Sequence, residues 1–279
     1  MSLPLFALLV CAGSFAAGLL GALTGIGGGI VIVPMLTALF HVDLRYAIGA
    51  SLVSIIATSS GAAAAYVREG WTNVRVGILL EVGTVVGAIV GASLAPFVPT
   101  SALSILLANV LLFTAWRSTK APEDHTTDAP SHPWARRLRL DSTYPLRDGR
   151  MQAYGVHAVP QGFSLMFLAG VLSALLGIGS GVLKVLAMDR FMKLPFKVST
   201  TTSNFMIGVT AAASAGVYLH RGYIAPEIAA PVMLGVLAGA LLGARVLTTV
   251  RTPALRLLFN GVVVVLAVQM LYEGVRGRS

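Results

Sequence analysis

Apolar residues run through this chain in long blocks broken by short polar stretches. The blocks cover residues 3–23, 46–67, 76–95, 102–116, 163–176, 198–219, 228–247 and 255–271. A helix crossing a bilayer needs about 17–25 mostly apolar residues, and these blocks lie near or above that length. The pattern predicts an all-α polytopic membrane protein. Two places interrupt it from within. Residues 24–34 read TGIGGGIVIVP and residues 176–184 read LGIGSGVLK. Glycine has the most backbone entropy to lose on ordering, so each cluster predicts a break inside a membrane segment.

The two breaks belong to a longer repeat. A shift of about 152 positions overlays the chain on itself without a gap. Gly18 meets Gly170, the Gly25-Ile26-Gly27 run meets Gly177-Ile178-Gly179, and Gly29 meets Gly181. Ser51 meets Ser203, Thr58 meets Thr210, Tyr66 meets Tyr218 and Gly70 meets Gly222. The ladder Gly83, Gly87, Gly91-Ala92 meets Gly235, Gly239, Gly243-Ala244. That spacing places small residues on one helix face, where another backbone can approach. The predicted organisation is a first transmembrane repeat over 1–116, a linker over 117–160 and a second repeat over 161–279. Each repeat holds a glycine-broken opening segment and three transmembrane helices.

Composition sharpens the class. Only 11% of the 279 residues are charged, against 56% hydrophobic, whereas a soluble domain carries about 25% charged residues. The formal net charge of +9 is concentrated in loops and near helix ends. That is the positive-inside pattern and not a nucleic-acid surface, so a lipid bilayer is the expected surrounding and no nucleic acid is expected. The single cysteine, Cys11, excludes an intrachain disulfide and is expected to be an apolar filler. The first apolar block has no Lys or Arg before it and belongs to the repeat, so it is expected to be retained.

The linker carries Arg117, Lys120, Arg136, Arg137, Arg139, Arg147 and Arg150, which the positive-inside rule assigns to the cytoplasm. Its second part predicts a β-hairpin, with strands over 138–144 and 151–159 around a turn at Arg147-Asp148-Gly149-Arg150. A plain connector is the expected role. Counting from a cytoplasmic linker puts 68–75, 190–197 and Arg251 inside and 41–45 outside. The two halves are then inverted relative to each other, although Arg276 and Arg278 disagree with that count.

Several motifs together resemble a known family. Gly-x-Gly-Gly-Gly with a following Val-Pro (25–34) leads into Ala47-Ile48-Gly49-Ala50-Ser51. Then come Tyr66 to Gly70 and the glycine ladder from Gly83 to Ala92. Both halves are similar to the sulfite exporter TauE/SafE family, also described as sulfonate uptake permeases. The second copy departs from the pattern with Ser180 in place of a glycine and Leu186 in place of the proline. Lys184 in that copy is similar to what the family often carries there. The resemblance implies a secondary transporter, not an enzyme, moving a small sulfur-containing anion across a prokaryotic plasma membrane.

Irregular backbone at membrane depth is tolerated where it is buried in protein or faces a water-filled cavity. A helix starting after such a break points free N–H groups and its positive dipole end into that space, which favours an anion. The candidate substrate-binding residues are Gly25, Gly27, Gly28 and Gly29 with Ser51, and Gly177, Gly179, Ser180 and Gly181 with Lys184, Ser203 and Asn204. Close helix packing is the competing reading of the glycines. Lys184 has two open readings, a cavity-facing charge that holds an anion or moves a proton, and a side chain that snorkels to the interface. Glu81 carries a coupling proton on one reading and sits at the interface on the favoured one. The glycine runs lack the Lys-Ser/Thr ending of a phosphate loop, and no paired carboxylates, catalytic triad or metal-ligand spacing appears. No cofactor or metal is expected. The rival functions are an uncoupled anion channel and an intramembrane scaffold in which the glycines only pack helices.

Overall fold

The computed structural model describes residues 3–24, 29–68, 70–118, 131–145, 150–246 and 252–276. The first half contains α1 (Leu3–Thr24), α2 (Gly29–Phe40), α3 (Leu44–Arg68), α4 (Val74–Leu94) and α5 (Thr100–Ser118). The linker contributes a short helix α6 (Pro133–Arg137) and strands β1 (Ser142–Pro145) and β2 (Met151–Tyr154). The second half contains α7 (Val159–Leu176), α8 (Gly181–Leu186), α9 (Phe196–His220), α10 (Pro226–Val246) and α11 (Thr252–Arg276), with one π-helical turn, Ala187–Phe191, directly after α8. Adding 152 to the bounds of α3 and α4 gives those of α9 and α10, so the sequence repeat is also a repeat of helices.

Local chemistry sets these boundaries. Asn73 caps α4, its side-chain oxygen accepting from the Val76 N–H at 3.1 Å. α7 ends where Gly177 adopts φ +65° and its N–H closes on the Ser173 carbonyl at 2.9 Å, a left-handed stop that glycine takes without Cβ strain. Among the described residues, three helices are long and apolar enough to cross a membrane, spanning Val74–Phe97, Val159–Leu176 and Pro226–Gly243. α1, α2, α3 and α5 carry shorter apolar stretches. On α4, Ile78, Val82, Val86 and Ile89 are exposed along one stripe, the face a lipid-embedded helix turns outward.

The halves interlock by exchange. α1 packs along α10, and its counterpart α7 packs along α4. The glycine ladders form these seams. Gly83, Gly87 and Gly91 abut Phe163, Phe167 and Val171, and Gly235 and Gly239 abut Cys11 and Phe15. A Cβ at Gly87 would fall on the Phe167 carbonyl oxygen, so the helices touch through bare backbone. The contacts advance together, so α4 runs parallel to α7 and α10 parallel to α1. α3 and α9 meet in opposite directions, with Gly49 against Tyr223 and Gly208 against Ser59.

One apolar core joins α1, α2, α3, α5, α9 and α11, and a second joins the base of α4, α7 and α9 to the linker through Ala135, Leu140 and Val156. The linker therefore docks on one end of the helical body. Its strands pair antiparallel with Ser142 opposite Tyr154. They are shorter than the sequence indicates, because residues 133–137 are helical and 138–141 turn around it. Of the expected turn, residues 147–149 lie outside the described residues.

Candidate functional site

The second break is built from backbone that only small residues occupy comfortably. Gly177, Gly179 and Ser180 have φ of +65°, +72° and +49°. Ser180 Oγ donates to the Ala169 carbonyl at 2.7 Å, tying the break to the helix before it. α8 then starts at Gly181 and runs six residues before the π turn.

Gly29, which opens α2, and the second break meet against α3 and α9. Ser51 Oγ donates to the Gly177 carbonyl at 2.6 Å and stands 3.4 Å from the Gly29 carbonyl. Its repeat counterpart Ser203 donates to the Gly181 carbonyl at 3.2 Å. Ile55 lies beside both the start of α2 and the second break, since a Cβ at Gly29 would be 2.6 Å from its Cδ1 and one at Gly179 would be 3.5 Å away. The serines therefore have the break carbonyls as immediate partners. Asn204 is half-buried and makes no hydrogen bond among the described residues. Gly25, Gly27 and Gly28 lie outside the described residues.

Lys184 answers one of the open readings. It is 0% exposed, so it does not snorkel. Its Nζ donates to Thr210 Oγ1 at 2.6 Å, and that hydroxyl donates to Glu81 Oε1 at 2.7 Å. Thr210 is also 0% exposed and Glu81 8%. The favoured interfacial placement of Glu81 is corrected here. The residue is seven positions into α4, about 10 Å along the axis, and faces α9. Glu81 Oε2 has no hydrogen-bond partner among the described residues, and an ammonium with three donors has one acceptor there, Thr210. The threonine was visible in the sequence only as a repeat match with Thr58. Its role arises because the second copy has Lys184 where the first has Ile32, and the first has Glu81 where the second has Met233. The charged chain is thus the asymmetric part of a symmetric frame.

Chemically, the arrangement offers a buried cation beside a kinked backbone, with a carboxylate linked to it through one hydroxyl. No group of three or more His, Cys, Asp or Glu side chains able to hold a metal occurs among the described residues.

The family model described as "Sulfite exporter TauE/SafE" matches residues 10–270. The "Probable membrane transporter protein YunE" of Bacillus subtilis (strain 168) is 27% identical, covering 97% of this chain and 98% of that protein. YdhB of the same organism, of the same description, is 27% identical over 83% of this chain and 86% of its own length. The "Probable membrane transporter protein MJ0441" of Methanocaldococcus jannaschii is 24% identical over 96% of both. No solved structure matches the chain. These relatives are described as probable membrane transporters, all of them from prokaryotes, and the matching family is one of plasma-membrane transporters and not of enzymes. With the family model covering nearly the whole helical body, this chain belongs to the TauE/SafE family of membrane transporters.

Proposed function

We propose that the protein is a secondary transporter of a small sulfur-containing anion, of the sulfite or organosulfonate class, held where the two glycine breaks meet. The observation that carries this reading is Lys184, a wholly buried ammonium beside the Gly177–Gly181 break. A buried charge is costly unless something pairs with it, and in membrane proteins such residues mark pathways. The anion is recognised by the Lys184 ammonium, by Asn204, and by backbone around Gly25, Gly27, Gly28, Gly29, Gly177, Gly179, Ser180 and Gly181. Ser51 and Ser203 keep the breaks in shape through their carbonyl contacts. The substrate class follows from the family name.

Alternating access comes from two inverted repeats. The antiparallel meeting of α3 with α9 and the exchanged pairing of α1 with α10 and α7 with α4 support this arrangement. The halves span 1–116 and 161–279, and the linker 117–160 lies on the cytoplasmic side. A proton is the simplest coupling partner.

Purified protein in liposomes tests the reading. Sulfite and methanesulfonate are offered with and without a pH gradient. Accumulation against a concentration gradient supports a coupled carrier. Passive flux alone replaces it with a channel, and absence of flux for both anions removes the transport reading.

A further inference from the structure

We propose that Glu81 is the proton-binding site of the transporter and takes up one proton for each monovalent anion held beside Lys184. This deepens the function just proposed and rests on it.

Charge balance sets the requirement. Lys184 and Glu81, joined through Thr210 by contacts of 2.6 and 2.7 Å, are tolerable at this depth as a neutral pair. A monovalent anion arriving at the ammonium leaves the group with one uncompensated negative charge. In a low-dielectric interior that charge is expensive. One proton added to Glu81 restores neutrality. The proton comes from water on the side to which the site is open. It forms an O–H bond at Oε2, the carboxylate oxygen that has no partner among the described residues. Oε1 remains on Thr210. When the anion leaves, Lys184 again needs its counter-charge, and the proton departs. Binding of either species therefore raises the affinity for the other, which is the requirement for coupled transport.

The surroundings leave Glu81 as the group that does this. α4 packs against α7 and α9. α7 holds no titratable residue. α9 has Lys197 near its start and Tyr218 and His220 near its end, all well away from Thr210 along the helix. On α4 itself, Arg75 lies at the first turn and donates to the Arg139 carbonyl. Asp189 is another buried carboxylate, placed on the π turn beyond the end of α8, five positions past Lys184.

Methanesulfonate is the probe, because its charge is fixed across the working pH range and its own titration moves no protons. Liposomes carry a trapped pH dye. Wild-type protein acidifies the lumen as methanesulfonate enters, with one proton per anion. A gradient of one pH unit supports about tenfold accumulation on the alkaline side. Glu81→Gln exchanges methanesulfonate at a rate that no longer depends on pH, moves no protons and accumulates nothing. Asp189→Asn keeps the proton response. If Glu81→Gln folds poorly, proton uptake from weakly buffered detergent solution on adding methanesulfonate to wild-type protein serves instead, with one proton per bound anion expected. Methanesulfonate entry by the wild type without acidification, or an intact proton response in Glu81→Gln, overturns the proposal and leaves the carrier reading standing. Absence of flux for sulfite and methanesulfonate alike overturns both.

Discussion

The ammonium of Lys197 stands 3.1 Å from the centre of the Trp71 ring. Its repeat counterpart Arg45 stands 5.8 Å from the centre of the Tyr223 ring, and Tyr223 is the counterpart of Trp71. In each pair, the cation begins the helix of one half and the aromatic lies in the loop of the other. Because α3 and α9 meet antiparallel, the two pairs lie at opposite ends of the helical body. The described part of the linker docks at the Trp71 end. The Trp71 ring packs tilted against Tyr144, centroids 5.8 Å apart, and Tyr144 packs tilted against Tyr154 at 5.9 Å.

Trp71 should therefore hold the hairpin as well as Lys197. Cation–π and aromatic contacts are each worth about 0.5–1.5 kcal/mol. Trp71→Ala should raise the hydrogen-exchange rate of the β2 amides at 151–154 several-fold. Tyr223→Ala, made at the end without a hairpin, should leave those amides unchanged. Equal effects from both would mean that the hairpin is held by its apolar underside alone.

Tyr154 gives the same docking a pH signature. Asn73 Nδ2 donates to its hydroxyl oxygen at 2.8 Å, and burial pushes that hydroxyl from 10.0 up to about 12. Below pH 10 the phenol is neutral whether docked or free, and the docking is at full strength. Between 10 and about 12 the free form ionises while the docked form resists, so docking weakens as pH rises. Exchange at 151–154 should accelerate through that window in the wild type. Tyr154→Phe should remove the part of that acceleration that exceeds the base-catalysed rise shared by every amide.

The glycine seams predict a graded set of alanine effects. Gly87→Ala and its counterpart Gly239→Ala would place a methyl on the carbonyl oxygens of Phe167 and Phe15. Overpacking of this kind costs about 1–3 kcal/mol. Both variants should lower the melting temperature in detergent. Gly216→Ala and Gly261→Ala meet nothing within 4 Å, and a helical glycine replaced in open space gains about 0.5–1 kcal/mol. Those two should melt at or above the wild-type temperature.

These effects also mark what a sequence can reveal. The repeat located the helices well, because duplicated glycines and the pair Ser51 with Ser203 sit where backbone must close-pack in both copies. The linker was harder. Residues 138–141 alternate like a strand, yet Arg139 takes φ +51° and the chain turns before β1. Glu81 was misplaced for a related reason. Its position near the start of an apolar block resembles an interface, and only the packing of α4 on α9 brings Thr210 and Lys184 to it. Polar residues satisfied by a partner 129 positions away leave no local signal. Ser51 and Ser203 were expected to face the anion, and their hydroxyls go to the carbonyls of Gly177 and Gly181, partners that only the meeting of α3 and α9 with the second break supplies.

The Lys184–Glu81 pair makes the last prediction, on stability. Removing one partner of a buried ion pair leaves an uncompensated charge and costs about 3–5 kcal/mol, whereas replacing both with neutral groups is often nearly neutral. Lys184→Met keeps the apolar stem but strands the Glu81 carboxylate among α4, α8 and α9. Its melting temperature should fall sharply near neutral pH. Lowering the pH should restore part of the loss, because protonation removes the stranded charge. Glu81→Gln alone strands the ammonium and should also destabilise. The double variant Lys184→Met with Glu81→Gln should recover most of the wild-type melting temperature, a non-additivity that a double-mutant cycle reads directly. It should still fail to bind methanesulfonate, since the cation is gone. Additive losses would mean that the two charges do not sense each other through Thr210.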